Sequence, residues 1–212
     1  MKRFTILAAL FLLLPLCLFA QSEKHNTPYL SGNLILSNSS VQENYKENSF
    51  HAALGIGFGF PVFNNISFYS RLTYTSKPNF TAYDYLTYVD NDISIINQLT
   101  AANVSFSQLI FNAGLQYNFY ISKSIKLGVS SGFTYSMVNQ KVSLQSGKTI
   151  ENLDNEGLYG YFAGTSLEKS FEDSHLSIFG EAQYNFIKKD LVYYRSNFGG
   201  INFTIGGKYY LR

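Results

Sequence analysis

The 212 residues are 46% hydrophobic and 17% aromatic, with no tryptophan, a single cysteine and only 14% charged side chains. This is little more than half the charged fraction of a soluble domain, and so many Phe and Tyr exclude a disordered tail. Setting aside Lys2 and Arg3, basic and acidic residues balance, so there is no basic field for nucleic acid.

Residues 1 to 20 read as a secretory signal peptide. Lys2-Arg3 give a positive start, Ile6 to Leu14 is an unbroken apolar run, Pro15 interrupts it and Ala20 supplies a small residue before the cut. The run is too short to cross a bilayer as a helix. Cys17 would mark a lipoprotein only behind a small residue, and Leu16 stands there. With Cys17 removed in the leader, the mature chain has no disulfide and no thiol nucleophile. Residues 21 to 27 read as a periplasmic linker and 28 to 212 as one domain.

From there the period is two, the mark of a strand with unlike faces. Tyr29 to Ser37 carries Leu30, Leu34 and Leu36 on one face. Phe50 to Val62 sets Leu54, Ile56, Phe58 and Phe60 against Gly55, Gly57 and Gly59; Ile66 to Lys77 sets Phe68, Leu72 and Tyr74 against Tyr69, Arg71 and Thr73. Ser105 to Phe119 opposes Phe111, Leu115 and Tyr117 to Asn112, Gly114 and Gln116, and Ile125 to Val138 opposes Leu127, Val129 and Phe133 to Lys126, Gly128 and Ser130. Leu158 to Phe171, with Tyr159, Tyr161 and Leu167, is weaker. His175 to Phe186 sets Ile178 and Tyr184 against Ser177, Glu181 and Gln183, and the last strand sets Ile201, Phe203, Ile205, Tyr209 and Leu211 against Asn202, Thr204, Gly206, Lys208 and Arg212. That makes eight strands, each long enough to cross a membrane at a tilt.

The connections alternate as well. Pro61 to Asn65, Tyr120 to Ser124 and Lys169 to Ser174 are short, whereas Asn38 to Ser49, Pro78 to Val104, Asn139 to Gly157 and Ile187 to Asn197 are long and polar. Short turns on one rim and long loops on the other are the habit of outer-membrane barrels, with the short turns in the periplasm. Strands in lipid must leave no unpaired edge, so the sheet must close. The expected fold is all-β: an eight-stranded antiparallel up-and-down transmembrane β-barrel behind a signal peptide, in the bacterial outer membrane, with both termini periplasmic. The glycines line a narrow lumen and leave room for larger polar groups. Arg71 and Glu181 sit at similar depth on strands that face each other, and a buried charge demands a partner. The expected lumen network is therefore Arg71 with Glu181, aided by Tyr69 and Gln116, and Lys126 with Glu168 near the periplasmic rim.

On these residues the chain resembles the small eight-stranded outer-membrane barrels of the OmpA transmembrane-domain and OmpX type, the outer membrane protein beta-barrel domain, over residues 28 to 212. Thr204-x-Gly206-x-x-Tyr209-x-Leu211 is similar to that family's C-terminal assembly signal, which implies insertion by the barrel assembly machinery, although Arg212 follows where many relatives end on an aromatic. No peptidoglycan-binding domain follows the strands, so wall anchoring is not expected.

Chemistry finds little footing. Gly128-Val-Ser130-Ser-Gly132 matches a nucleophile elbow, but it lies in mid-strand rather than at a strand-to-helix turn. His175-x-Ser177 with Glu181 is similar to the constellation of barrel-shaped lipid A deacylases, yet His175 starts at the periplasmic rim and Ile178 replaces that family's asparagine. His25 and His51 are too scattered for a metal. Gly55-x-Gly57-x-Gly59 has neither the spacing nor the following helix of a dinucleotide fingerprint, and Asp90-Asn91-Asp92 lacks the glycine and glutamate of a calcium loop. No cofactor is expected.

The leading functional expectation is a non-enzymatic barrel whose loops, with Tyr83, Tyr85, Tyr88, Asp90, Asp92, Glu151, Asp154 and Glu156, serve binding, adhesion or envelope integrity. Its partners are outer-membrane lipid and an extracellular ligand. The alternatives are a narrow pore or small-solute carrier and, more remotely, a lipid A-modifying barrel enzyme or a soluble lipocalin-like binder.

Overall fold

A computed structural model describes residues 27–40, 50–87, 98–144, 149–171, 174–190 and 195–211. The signal peptide, residues 21–26 with His25, and the Tyr88 and Asp90-Asn91-Asp92 loop tip lie outside these residues. The strands are β1 (Tyr29–Ser40), β2 (His51–Phe63), β3 (Ile66–Thr87), β4 (Gln98–Tyr120), β5 (Ile125–Leu144), β6 (Thr149–Ser170), β7 (Leu176–Phe186), β8 (Lys188–Asp190) and β9 (Arg195–Tyr210). Every pairing among the described residues is antiparallel and joins chain neighbours, save that β7 as well as β8 pairs with β9 and that β9 also pairs with β1. Only Ile187 separates β7 from β8, so they form one broken stave. The sheet closes where β9 returns to β1, with Leu34 opposite Ile205 and Gly32 opposite Gly207. The result is a closed barrel of eight staves.

Alternation holds along the walls, with polarity inverted relative to a soluble protein. In β7, Ser177, Phe179, Glu181, Gln183 and Asn185 are buried, whereas Leu176, Ile178, Tyr184 and Phe186 are exposed. Phe133 is 81% and Tyr159 80% exposed, while Arg71 is 2% and Gln108 1%. A lipocalin-like binder would need the reverse. Each large apolar side chain left in water forgoes roughly 1.5–3 kcal/mol, so this wall requires a lipid surround. Aromatics cluster towards both ends of the wall, as interfacial girdles do. Phe60 stacks on Phe68 at 5.0 Å near the short turns, and Tyr161 stacks on Phe186 at 4.8 Å towards the opposite rim.

Local chemistry sets the short turns. Asn64 turns β2 into β3 at φ 38°, a left-handed conformation that asparagine tolerates better than most residues. Between β4 and β5, the Ser122 hydroxyl accepts hydrogen bonds from the amides of Ser124 and Ile125 at 3.3 and 3.1 Å, the local bonding that favours serine in turns. Mid-wall, Gly114 lies opposite Gly132. A Cβ on either would overlap the facing backbone, so the glycines let β4 and β5 approach closely.

The long connections differ from the expectation. The ladder of β3 with β4 continues to Thr87 opposite Gln98, and that of β5 with β6 to Ser143 opposite Thr149. Much of Pro78 to Val104 and Asn139 to Gly157 is therefore strand, forming a four-stranded extension above the barrel. The segment Ile187 to Asn197 likewise pairs in its outer part, as Lys188 to Asp190 against Arg195 to Asn197. Outside an apolar solvent these strands need no greasy face, so a reading by alternating hydrophobicity loses them while backbone pairing continues.

Candidate functional site in the lumen

The inward row of each stave meets the others across a narrow interior, in three tiers. At mid-height β3 contributes Tyr69 and Arg71, β7 contributes Glu181 and Gln183, and β9 contributes Thr204. The Arg71 guanidinium donates from Nη1 to Glu181 Oε1 at 2.6 Å and to Thr204 Oγ1 at 3.2 Å, and from Nη2 to Gln183 Oε1. Tyr69 donates to Gln183 at 3.2 Å and towards Glu181 at 3.4 Å. Gln183 is held by Asn185, to which its amide donates at 2.7 Å. Both charged side chains of the pair are almost wholly enclosed, at 2% and 3% exposure. The tier is charge-neutral and spans from one wall of the barrel to the other.

Nearer the short turns, Glu168 of β6 gathers two ammonium groups. Lys208 of β9 lies 2.6 Å and Lys126 of β5 3.0 Å from its Oε2. Its Oε1 accepts from the Ser177 hydroxyl at 2.9 Å and from Tyr210. Lys208 also sits over the faces of Tyr29 and Phe179, 4.4 and 4.8 Å from their centroids, where ring quadrupoles help to hold a desolvated cation. This cluster carries one positive charge more than it neutralises.

The six expected lumen residues all face inward, with two departures from the expected contacts. Gln116 does not reach the Arg71 tier: it donates to Asn118 at 2.9 Å and towards Ser166 at 3.5 Å. The Lys126–Glu168 pair is a triad with Lys208, which the alternation placed on the polar row without giving it a partner. Of the C-terminal residues, Thr204 bonds Arg71, a Cβ on Gly206 would crowd the Asn33 carboxamide, and Tyr209 and Leu211 are exposed on the outer wall.

The third tier was not anticipated. Towards the long-connection rim the lumen turns apolar, with Phe106, Val138, Leu158, Ile187 and Phe198 packed together and Leu153 against them. These positions lie on inward rows that carry polar groups as well as the buried Val104, Ile110, Val142 and Phe162.

The candidate catalytic residues are engaged elsewhere and do not assemble with one another. His175 Nδ1 lies 3.1 Å from the Tyr210 carbonyl and its ring stacks on Tyr209, Ser177 donates to Glu168, and Glu181 is taken by Arg71. Ser130 is buried in mid-strand, its hydroxyl 3.5 Å from the Gly164 carbonyl. Among the described residues no three His, Cys, Asp or Glu side chains converge on a metal position.

Comparison with solved structures matches this closed wall over most of its length. Neisserial surface protein A superposes with a TM-score of 0.52 at 12% identity, covering 87% of this chain and 97% of its own. This is the fold of the small eight-stranded outer-membrane barrels. Ail, the attachment invasion locus protein of Yersinia pestis, gives 0.53 at 12% identity over 88% of this chain and 99% of Ail. The outer membrane protein OprG of Pseudomonas aeruginosa gives 0.52 at 13% over 90% and 98%. No family model matches the sequence, and no curated protein matches it.

Proposed function

We propose that this chain is a non-conducting outer-membrane barrel, with both termini periplasmic, that holds its strand extensions outward to bind a partner at the cell surface. The observation that carries this reading is the Arg71–Glu181–Gln183–Thr204 tier. A side-chain bridge across the lumen of an eight-stranded barrel leaves no continuous path for water, and the Glu168 triad blocks the same bore again below it. Function then falls to the rim, where such scaffolds carry it. Ail has been solved in complex with the heparin analogue sucrose octasulfate, which supports ligand capture on a barrel of this shape. The outer connections here contain more acidic than basic residues, so the ligand of this chain is a neutral, cationic or aromatic group rather than a polysulfate. Insertion would use the barrel assembly machinery, with Thr204, Gly206, Tyr209 and Leu211 as its signal.

Planar-bilayer recording tests the reading. The purified, heat-modifiable barrel is expected to give no steady channels, and steady conductance would make the small-solute carrier the better account. Protease added to intact cells should cut within the connections joining β3 to β4 or β5 to β6 and spare the short turn between β2 and β3. Cleavage at the turn between β4 and β5 would instead show that the barrel is oriented the other way.

A further inference from the structure

We propose that the outer end of the lumen is closed by a second, independent barrier: an apolar septum that Ile187 and Phe198, beside Gly199 and Gly200, build with Phe106, Val138 and Leu158. The proposal rests on the outward orientation proposed above. At Ile187 the ladder of β7 is interrupted before β8 resumes. Opposite the break Gly200 has φ 129°, a conformation that side chains avoid, and a Cβ on Gly199 would overlap the Asn185 carbonyl. Ile187, on the stave of β7 and β8, and Phe198, on β9, are facing inward residues, and the register is the same on both sides of the break, with Asn185 opposite Gly200 and Lys188 opposite Asn197. Ile187 and Phe198 are both fully enclosed and are tied by a hydrogen bond from the Phe198 amide to the Ile187 carbonyl at 2.8 Å.

Phe198 lies nearly parallel to Phe106, at 13° with centroids 6.5 Å apart, and Val138 and Leu158 complete the layer. Gln108 fastens it from below, donating to the Phe198 carbonyl at 2.7 Å and to the Ser136 hydroxyl at 2.8 Å. Nothing in a closed barrel requires this arrangement: an unbroken stave with polar inward residues would satisfy every ladder bond. Two paired strands that set an isoleucine against a phenylalanine beside a positive-φ glycine, above a lumen filled with polar groups, have the construction of a seal. Water and ions are excluded there by apolar surface, and lower down by paired charge.

The two barriers can be probed separately by thiol accessibility. With Cys17→Ser removing the native thiol, Ser136→Cys places one cysteine just beneath the septum, and a small cationic methanethiosulfonate is added outside intact cells. Labelling should be slow in that protein and at least ten times faster once Phe198→Ala is added, with Ile187→Ser as a second opener and heat-modifiable migration confirming that each variant is folded. Equally rapid labelling with Phe198 in place would overturn the proposal, as would continued protection in both folded opener variants. Ser177→Cys, beside Glu168 and below the Arg71 tier, should stay protected when Phe198→Ala is present. If it is labelled, the polar plug fails as a barrier while the septum stands.

Discussion

Glu168→Gln should destabilise the barrel more than any other conservative substitution in the lumen. Glutamine keeps the size and polarity of the side chain but removes the carboxylate that faces two ammonium groups, Lys208 at 2.6 Å and Lys126 at 3.0 Å. Breaking one buried ion pair costs about 3–5 kcal/mol because a charge is left uncompensated; here two cations lose their counterion together and also repel each other. Removing one lysine should behave oppositely. In Lys126→Met the remaining Glu168–Lys208 pair is neutral, and the lost ammonium is the less enclosed of the two, at 15% against 4% side-chain exposure. That variant should stay within about 1 kcal/mol of the unmodified protein. Urea unfolding of the barrel in lipid vesicles measures both. A Lys126→Met loss as large as that of Glu168→Gln would mean that the cluster is held by its geometry and not by charge balance.

The faces of the staves were readable because each inward and outward row has a period of two and only the outward rows meet lipid; Leu54, Ile56, Leu115 and Phe203 could be assigned without knowing any neighbour. The pairing of Arg71 with Glu181 was accessible at the level of depth and opposition, since a buried charge must find its complement. The finer bonds were not. Whether Gln116 or Gln183 reaches the guanidinium depends on the stagger of the closed sheet, which no local pattern encodes; Gln183 shares the Glu181 face and could have been nominated on that ground. Lys208 stands on the polar row without an assigned partner, because nothing in sequence shows that Glu168 and Tyr29 converge on it. The strand extensions disappeared from view where both faces become polar. The apolar tier was hidden for the opposite reason: Ile187 and Phe198 interrupt the alternation, and an interruption beside two glycines reads as a loop. The missed features are thus those that depend on contacts between strands far apart in sequence, or on solvent other than lipid.

The central pair should show the asymmetry of buried ions most clearly. Glu181→Ala leaves Arg71 enclosed at 2% exposure, with Thr204, Gln183 and Tyr69 as neutral partners, and a loss of about 3–5 kcal/mol is expected. Arg71→Met combined with Glu181→Leu should recover most of it, because the full desolvation cost of both ions disappears with their attraction. The network leaves room for that recovery. Arg71 Nε and both polar atoms of the Asn33 carboxamide have no hydrogen-bond partner among the described residues, and an incompletely satisfied polar network is stabilised less than its bond count suggests. A double-mutant cycle in vesicles separates the terms: each single variant should fall by several kcal/mol and the double variant by less than either, giving a coupling of more than about 3 kcal/mol. Strictly additive losses would mean that water already solvates both groups, and such a lumen would be wet enough to reopen the case for a pore.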